Sequence, residues 1–223
     1  MLYIRTIRLY FPHFPDIMEK KGWESGCPPL SAQEKRFSMA HYDLNTAQLR
    51  EYVGVLKAGD TVSLTGTVYT ARDAAHKKIL AALEAGEHIP FDIQDSVVYY
   101  AGPTPSKPGQ VIGSCGPTTS GRMDPFSPTL IEKGQVCMIG KGVRNQAVHD
   151  AMQKYGCVYM VAIGGAGAVI ADSVKSLEVV AYDELGCESV KRLTVENFPA
   201  IVSMDAQGGS LYATGIAQFR TAD

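Results

Sequence analysis

The sequence has little of what marks several common classes of protein. Its 223 residues carry a formal net charge of only −2, which argues against a dedicated binder of nucleic acid or of another polyanion. It contains no run of about 18 consecutive apolar residues, so it indicates no membrane-spanning helix. Residues 1–30 lack the continuous apolar segment and small-residue cleavage site of a secretory signal. We therefore expect a cytoplasmic protein.

Cysteine is also scarce and is poorly spaced for metal binding. The 5 cysteines are Cys27, Cys115, Cys137, Cys157 and Cys187, and no two of them are close in sequence. Without a C-x-x-C pair, neither a zinc ribbon nor a ferredoxin-type cluster is indicated, so we predict no metal site in this chain. Several cysteines lie in apolar runs such as "QVCMIG", and we expect reduced, buried thiols.

What is present suits one compact domain preceded by an extension. With 45% hydrophobic residues, a chain of this length can bury a sizeable core without metal or disulfide bonds. Residues 1–38 differ from the rest, because they hold the single tryptophan and several prolines without a clear hydrophobic period. We predict that residues 1–42 are an N-terminal extension, either flexible or upstream of the native start, and that residues 43–223 form the domain.

After this extension, strand and helix patterns alternate. Thr46 is predicted to cap a short helix that ends near Leu56. Residues 61–70, "TVSLTGTVYT", are rich in β-branched side chains and predict a strand. Residues 71–86 are strongly helix-forming and predict a helix that closes at Gly86.

The alternation continues along the rest of the chain. The further predicted strands are "SVVYYAG", "QVIGSCG", "QVCMIG", "VYMVAI", "SLEVVAY", "VKRLTVEN" and "PAIVSMD". Short helices are predicted around "SPTLIEKG" and after the turn "IGGAGA", and "NQAVHDAMQKYG" places Val148, Met152 and Tyr155 on one amphipathic face. This order predicts an α/β domain with a mixed sheet flanked by helices.

Three glycine-rich loops follow apolar strands in this pattern. They are "SCGPTTSGRMD" (114–124), "IGKGVRN" (139–145) and "IGGAGA" (163–168). The strand at 61–70 leads instead into a helix that opens with "ARDAAH". Because ligands gather at the carboxyl ends of strands in open α/β sheets, we expect these four segments to lie together if the sheet is largely parallel.

The polar residues of these segments suit a small anionic ligand. Arg72 lies at a predicted helix N-terminus, where anions are favoured, and Arg122 and Lys141 lie in two of the loops. The planar guanidinium of arginine suits a carboxylate in a bidentate pair, and Thr118 and Thr119 add hydroxyl groups. These groups favour a small substrate with two carboxylates, with a phosphate as the alternative. None of the loops has the glycine spacing of a nucleotide-binding motif.

The same residues also have structural interpretations. The loop 115–123 could be an ordinary turn, and Arg72 could pair with an acid at the surface. Asp73 and Lys77 are spaced as an i, i+4 ion pair on one helix face. His76 shares a helix face with Arg72, and without a visible partner it is more typical of a structural histidine.

Long segments of the chain resemble one known family. They are "LTGTVYTARDAAHKK", "YYAGPTPSKPGQVIGSCGPTTSGRMD", "MIGKG", "KYGCVYMVAIGGAGAVIADSVK" and "YDELGCESVKRLTVENFPAIVSMDAQG". Together they are similar to the β subunit, or C-terminal domain, of class I, iron–sulfur-dependent fumarate hydratases. The resemblance implies a hydro-lyase with a swivelling β/β/α domain. The L-tartrate dehydratase β subunit is a close relative, but Ala71 and "SGRMD" are more similar to the fumarate hydratases.

The resemblance also implies how the work is divided between two subunits. A partner α subunit would bind a four-iron, four-sulfur cluster, and this chain would bind none. The cluster iron that lacks a cysteine ligand would act as a Lewis acid on the malate hydroxyl that leaves as water. The expected assembly is α2β2, a dimer of αβ pairs, and the expected reaction is the reversible hydration of fumarate to (S)-malate.

Roles for individual residues follow from the same resemblance. Arg72 and Arg122 would hold the two substrate carboxylates. Thr119 and Lys141 would make further substrate contacts, and Thr118 would be the catalytic residue that helps to remove the C3 proton of malate. A hypothesis of another class is a non-enzymatic module that binds small dicarboxylates for regulation.

Overall fold

The computed structural model describes residues 39–89 and 91–220. The segment 1–38, which contains Cys27 and most of the predicted extension, lies outside the described residues. Within the described part, seven strands form one mixed sheet flanked by helices, which confirms the predicted α/β class. In these two ranges, none of the helices is both long and apolar enough to cross a bilayer.

Most strands and helices follow the predicted order, but the strand His41–Asn45 and the helix Leu211–Phe219 were not predicted. The strands are β1 (His41–Asn45), β2 (Thr61–Thr70), β3 (Val97–Tyr99), β4 (Cys137–Gly140), β5 (Val158–Val161), β6 (Val174–Ala181) and β7 (Val190–Met204). The α-helices are α1 (Leu49–Tyr52), α2 (Asp73–Ala85), α3 (Ser127–Glu132), α4 (Gln146–Tyr155), α5 (Gly167–Asp172) and α6 (Leu211–Phe219). Short 3-10 helices cover Thr46–Gln48, Ser120–Met123 and Asp183–Glu188. β1 thus begins inside the predicted extension 1–42.

The sheet combines a parallel part with a long antiparallel strand. Strands β1 to β5 pair in parallel in chain order, and β7 is antiparallel to β2, β5 and β6. The pairings β2–β3, β3–β4, β4–β5, β5–β7 and β7–β2 close a ring of strands. Since β2 to β5 run in one direction, their carboxyl ends meet at the same edge of the ring.

Successive side chains of the inner strands enter two different hydrophobic cores. In β4, Cys137 and Ile139 belong to the core that also contains Leu49 of α1 and Ile170 of α5, whereas Met138 belongs to the other. The second core contains the apolar faces of α2, α3 and α4, with side chains that include Ile79, Leu130 and Val148. Both faces of these strands are therefore buried, which explains why their sequences are continuous apolar runs rather than alternating ones.

Two sequence signals are confirmed closely, although α2 begins at Asp73, two residues after the start of the predicted range 71–86. β2 covers the predicted range 61–70. α2 ends as predicted at Gly86, which has a φ of 69° and whose N–H bonds to the carbonyl oxygens of Ala82 and Leu83. A left-handed residue at this position costs least when it is glycine, so the helix ends there.

The predicted cap at Thr46 is wrong. The Asn45 side chain accepts a hydrogen bond from the Ala47 N–H and caps the 3-10 turn, while the Thr46 Oγ1 accepts from the Thr67 N–H of β2. Residues 46 and 67 are far apart in sequence, so local pattern could not reveal this bond. α1 also ends at Tyr52, before the predicted end near Leu56.

Two strand predictions are also wrong. "QVIGSCG" (110–116) forms no named strand, because its backbone bonds to loops: the Ser114 carbonyl accepts from the Thr104 N–H, and the Cys115 N–H donates to the Gly167 carbonyl. "VKRLTVEN" and "PAIVSMD" are one continuous strand, β7. Pro199 lies opposite Ser63 near a β-bulge between Leu64 and Gly66, where the lack of an N–H is tolerated.

Candidate active site

The four segments singled out in the sequence meet at the carboxyl edge of the parallel strands. β2 leads into Arg72 at the start of α2, β4 leads into Lys141, and β5 leads into the glycine turn. The loop 115–119 joins them because the Thr118 N–H donates to the carbonyl oxygen of Tyr100, directly after β3, at 2.8 Å. The parallel direction of β2 to β5 therefore gathers the predicted polar residues at one place.

Thr118 and Thr119 lie beside Lys141. Thr119 and Lys141 form a parallel bridge, in which the Lys141 N–H donates to the Thr118 carbonyl at 3.3 Å and the Ser120 N–H donates to the Lys141 carbonyl at 2.9 Å. The Thr118 side chain is half-buried and that of Thr119 is exposed, and neither hydroxyl bonds to another described residue. The bridge therefore holds the backbone of the two threonines next to that of Lys141.

A buried hydroxyl pair holds this bridge in place. The Ser120 Oγ accepts from the Lys141 N–H at 3.1 Å and donates to the Tyr159 hydroxyl at 2.9 Å, and that hydroxyl donates to the Gly142 carbonyl at 2.8 Å. The backbone passes so close to Ser120 that a Cβ on Gly140 would lie 2.0 Å from the Ser120 Oγ. The glycine before Lys141 is therefore required by close packing and not only by loop flexibility.

Arg72 is held at the N-terminus of α2 by an acid distant in sequence. Its Nη2 lies 3.1 Å from the Glu188 Oε1, and its side chain packs against Gly102, where a Cβ would lie 2.9 Å from the Nη1. Lys191 supports the loop that carries Glu188, because its Nζ donates to the carbonyl oxygens of Gly186, Cys187 and Ser189. The surface-pair interpretation of Arg72 is thus partly correct, although only 19% of the side chain is exposed.

Asp73 connects the two arginines. Its Oδ2 accepts from the Arg122 Nη2 at 2.6 Å, and its Oδ1 lies 3.9 Å from the Arg72 Nε. The ion pair that Asp73 forms is therefore with Arg122, and the predicted pairing with Lys77 is wrong. Sequence reasoning missed the site roles of Asp73 and Glu188. Asp73 could have been identified because it directly follows Arg72. No nearby feature of the sequence indicates that Glu188 lies at the site.

His76 is a buried, neutral residue in the first turn of α2. Its Nδ1 donates to the Arg72 carbonyl at 2.8 Å, and its ring packs on those of Tyr100 and Phe126. Burial lowers the pKa of His76 to about 4, against a smaller opposing effect of the hydrogen bond to Arg72. At neutral pH the imidazole therefore carries no charge, which fits the structural interpretation.

A buried ion pair lies behind the threonine loop. The Arg144 Nε donates to the Asp124 Oδ1 at 2.6 Å, the Arg144 Nη2 donates to the Ser127 Oγ at 2.7 Å, and the guanidinium lies over the rings of Tyr100 and Tyr159. The second oxygen of Asp124 accepts from the Asn145 N–H. Both carboxylate oxygens of Asp124, the last residue of "SGRMD", are thus hydrogen-bonded within the protein and hold the loop in place.

Most of the described thiols are buried, as the sequence predicts. Cys115, Cys137 and Cys157 are buried and free, and burial raises the pKa of Cys115 and of Cys157 to about 12. In residues 39–89 and 91–220, no three His, Cys, Asp or Glu side chains are grouped to hold a metal ion. Cys187 differs from the expectation of buried thiols, because it is exposed.

Comparison with known proteins places this chain in a family. The profile of a family described as fumarase C-terminus matches residues 14–215, which includes part of the predicted extension. The chain is 43% identical over 168 residues to a protein named fumarate hydratase class I, anaerobic, from Escherichia coli K12, and 38% identical over 172 residues to fumarate hydratase 2 from Leishmania major. These matches cover 74% and 76% of this chain but 30% of each relative.

A third relative has nearly the same extent as the described domain. The chain is 44% identical over 163 residues to a Methanocaldococcus jannaschii protein provisionally named L(+)-tartrate dehydratase subunit beta. That match covers 70% of this chain and 84% of the relative. With the profile match over most of its length, the chain belongs to the fumarase C-terminus family.

Proposed function

We propose that this chain is the β subunit of a class I fumarate hydratase, a hydro-lyase that interconverts fumarate and (S)-malate together with an α subunit. The observation that carries the proposal is the meeting of Arg72 and Arg122 at Asp73, at the same sheet edge as Thr118, Thr119 and Lys141. The similarity to proteins named class I fumarate hydratase supports it. The chain spans about 30% of the length of that relative.

The two arginines suit the two ends of a four-carbon diacid. Each guanidinium has five N–H donors, and the contacts with Asp73 and Glu188 leave donors over for a ligand carboxylate. Removal of a proton from the carbon next to a carboxylate builds negative charge on that carboxylate. Fixed arginines stabilise this charge more strongly than the charge of the ground state, and holding both ends orients the reacting carbons.

Thr118, Thr119 and Lys141 would complete the binding surface for the substrate. The Thr118 hydroxyl is half-buried and bonds to no other described residue, so it is free to contact the carbon skeleton. A threonine hydroxyl is a weak base at neutral pH, so its part in removing the C3 proton requires a base that accepts the proton from it. We assign that base to the α subunit.

The iron–sulfur cluster is likewise assigned to the α subunit. This assignment is supported by the described part of the chain, where Cys115, Cys137 and Cys157 are buried and no three possible metal ligands are grouped. In this proposal the β domain swivels over the α subunit so that its cationic edge faces the cluster, and two αβ pairs form an α2β2 assembly in the cytoplasm. A dicarboxylate that spans Arg72 and Arg122 would then lie between the subunits.

The L-tartrate dehydratase β subunit is the second candidate, and one relative favours it by its length and its name. The residues that favour a fumarate hydratase are Ala71 and the segment "SGRMD". Ala71 and Asp124 are buried, and Asp124 pairs with Arg144, so these two residues pack the site rather than contact a substrate. Gly121 of the same segment is exposed.

The direct test is to produce this chain anaerobically with the α subunit, reconstitute the cluster, and measure turnover of (S)-malate and L-tartrate. We expect malate to be converted to fumarate with the higher kcat/KM. A preference for tartrate would select the second candidate. Activity on neither substrate, with the cluster intact, would contradict both and leave a dicarboxylate-binding module, which binds its ligand without the partner.

A further inference from the structure

Asp73 stands between two arginines with one oxygen toward each. The Oδ2 is bonded to the Arg122 Nη2 at 2.6 Å, while the Oδ1 lies 3.9 Å from the Arg72 Nε. The Asp73 Oδ1 and the Arg72 Nε are both buried, and neither has a hydrogen-bond partner among the described residues. Buried polar atoms are normally paired, so an opposed and unbonded pair of this kind is costly unless the site needs it.

We propose that Asp73 is a positioning residue that sets the distance between the guanidinium groups of Arg72 and Arg122, and so selects dicarboxylates of four carbons. The inference rests on the proposed function, because it assumes that these arginines hold the two carboxylates. It goes beyond that function by assigning chain-length selectivity to a residue that need not touch the substrate.

The backbone explains how Asp73 can set the distance between the two guanidinium groups. It is the first residue of α2, a helix of 13 residues, and it follows Arg72 directly, so one arginine is at a fixed place relative to its carboxylate. Arg122 comes from the 3-10 turn of another segment, and 47% of its side chain is exposed. Without an anchor, so exposed an arginine would sample many rotamers, and the distance between the two guanidinium groups would not be defined.

Two simpler roles make different predictions for the same substitution. If Asp73 were only a counter-charge, Asp73→Asn would make the site more positive and would tighten the binding of a dianion. If Asp73 only stabilised the N-terminus of α2, the substitution would lower stability and leave ligand selectivity unchanged. A positioning role predicts weaker binding and lost selectivity even though the positive charge increases.

The test uses the assembled αβ enzyme with the variants Asp73→Asn and Asp73→Glu. Glu84→Gln is the matched control, because Glu84 is exposed on the same helix and the charge change is the same. Dissociation constants are measured for malonate, succinate and glutarate, which differ by one methylene each and do not react. Steady-state kinetics with fumarate and thermal unfolding are recorded for the same preparations.

We expect Asp73→Asn to weaken succinate binding by at least about tenfold and to reduce the preference for succinate over malonate and glutarate to within about threefold. Asp73→Glu keeps the charge but moves it by one methylene, so it should lose the same preference. Both should raise KM for fumarate and lower kcat, while Glu84→Gln behaves as the wild type.

Tighter or unchanged succinate binding in Asp73→Asn, or wild-type selectivity in Asp73→Glu, would overturn the inference. The binding series is independent of turnover, so it still decides the role of Asp73 if the wild-type enzyme fails to hydrate fumarate. If the wild type binds none of the three diacids, both the inference and the proposed function are wrong. Should Asp73→Asn not fold, the selectivity of Asp73→Glu alone decides.

Discussion

The Arg144 guanidinium and the Asp124 carboxylate form an ion pair at 2.6 Å, with 0% and 8% of their side chains exposed. The pair joins the turn that carries Arg122 to the segment that follows Lys141, since Asp124 also accepts from the Asn145 N–H. The ion pair therefore connects the two loops that carry Arg122 and Lys141 to the candidate site.

Removing the charge of Asp124 should destabilise the domain strongly. Asp124→Asn keeps the shape but leaves a buried guanidinium without its counter-ion, and we expect the free energy of unfolding to fall by about 3–5 kcal/mol. Chemical denaturation of the full chain measures this. The matched control is Glu196→Gln, which breaks the exposed pair with Lys175 and should cost no more than about 1 kcal/mol. A loss as small as that of the control would contradict the role assigned to the Arg144–Asp124 pair.

Gly140→Ala should disturb the Lys141 loop. The new Cβ would lie 2.0 Å from the Ser120 Oγ and 3.0 Å from the Tyr100 ring, so Ser120 must shift and its bonds to Lys141 and Tyr159 must weaken. We expect the free energy of unfolding to fall by about 1–3 kcal/mol, together with a loss of dicarboxylate binding. Gly215→Ala in α6, where no atom lies within 4 Å of the new Cβ, should be neutral or stabilising. Unchanged stability and binding in Gly140→Ala would show that the loop tolerates the displacement.

His76 should make the stability depend on pH below neutrality. Its pKa is lowered to about 4 in the folded state, below the ordinary value of 6.5, so the unfolded chain binds this proton more readily. The contribution of neutral His76 to the free energy of unfolding is complete above pH 6.5 and is lost as the pH falls toward 4. The free energy of unfolding should therefore fall by about 2 kcal/mol between pH 7 and pH 5. In His76→Leu, the difference in unfolding free energy between pH 7 and pH 5 should be smaller by that amount. An identical pH dependence in both proteins would contradict the buried, neutral state.

Part of the fold was predictable because its signals are local. The β-branched run 61–70 and the left-handed residue Gly86 act through their own backbones, and both predictions are confirmed. The segment 110–116 has a strand-like composition, but a Cβ on Gly113 would lie 2.3 Å from the Thr104 carbonyl oxygen. That segment is packed against a loop instead of a sheet, and no local pattern records this.

The candidate site was predictable to a similar degree. Arg72 and Lys141 follow the ends of β2 and β4, and a parallel sheet brings strand ends together, so their proximity followed from topology. Thr118, Thr119 and Arg122 were expected there because of a strand at 110–116 that does not form, and their loop reaches the sheet edge through the hydrogen bond from the Thr118 N–H to the Tyr100 carbonyl instead. The partners of the two arginines did not follow from the sequence pattern. Asp73 bonds to a residue 49 positions away, and Glu188 reaches Arg72 from the turn before β7. Contacts between distant segments depend on how the ring of strands closes, which composition does not reveal.

The central claim is that Arg122 binds a carboxylate of the substrate, and it is tested most directly by kcat/KM for fumarate in the reconstituted αβ enzyme carrying Arg122→Ala. Arg220→Ala, an exposed arginine at the end of α6, is the control, and the iron content of each preparation is measured. We predict a loss of at least about 100-fold in Arg122→Ala with the cluster content unchanged, and no loss in the control. Wild-type turnover in Arg122→Ala would contradict the account.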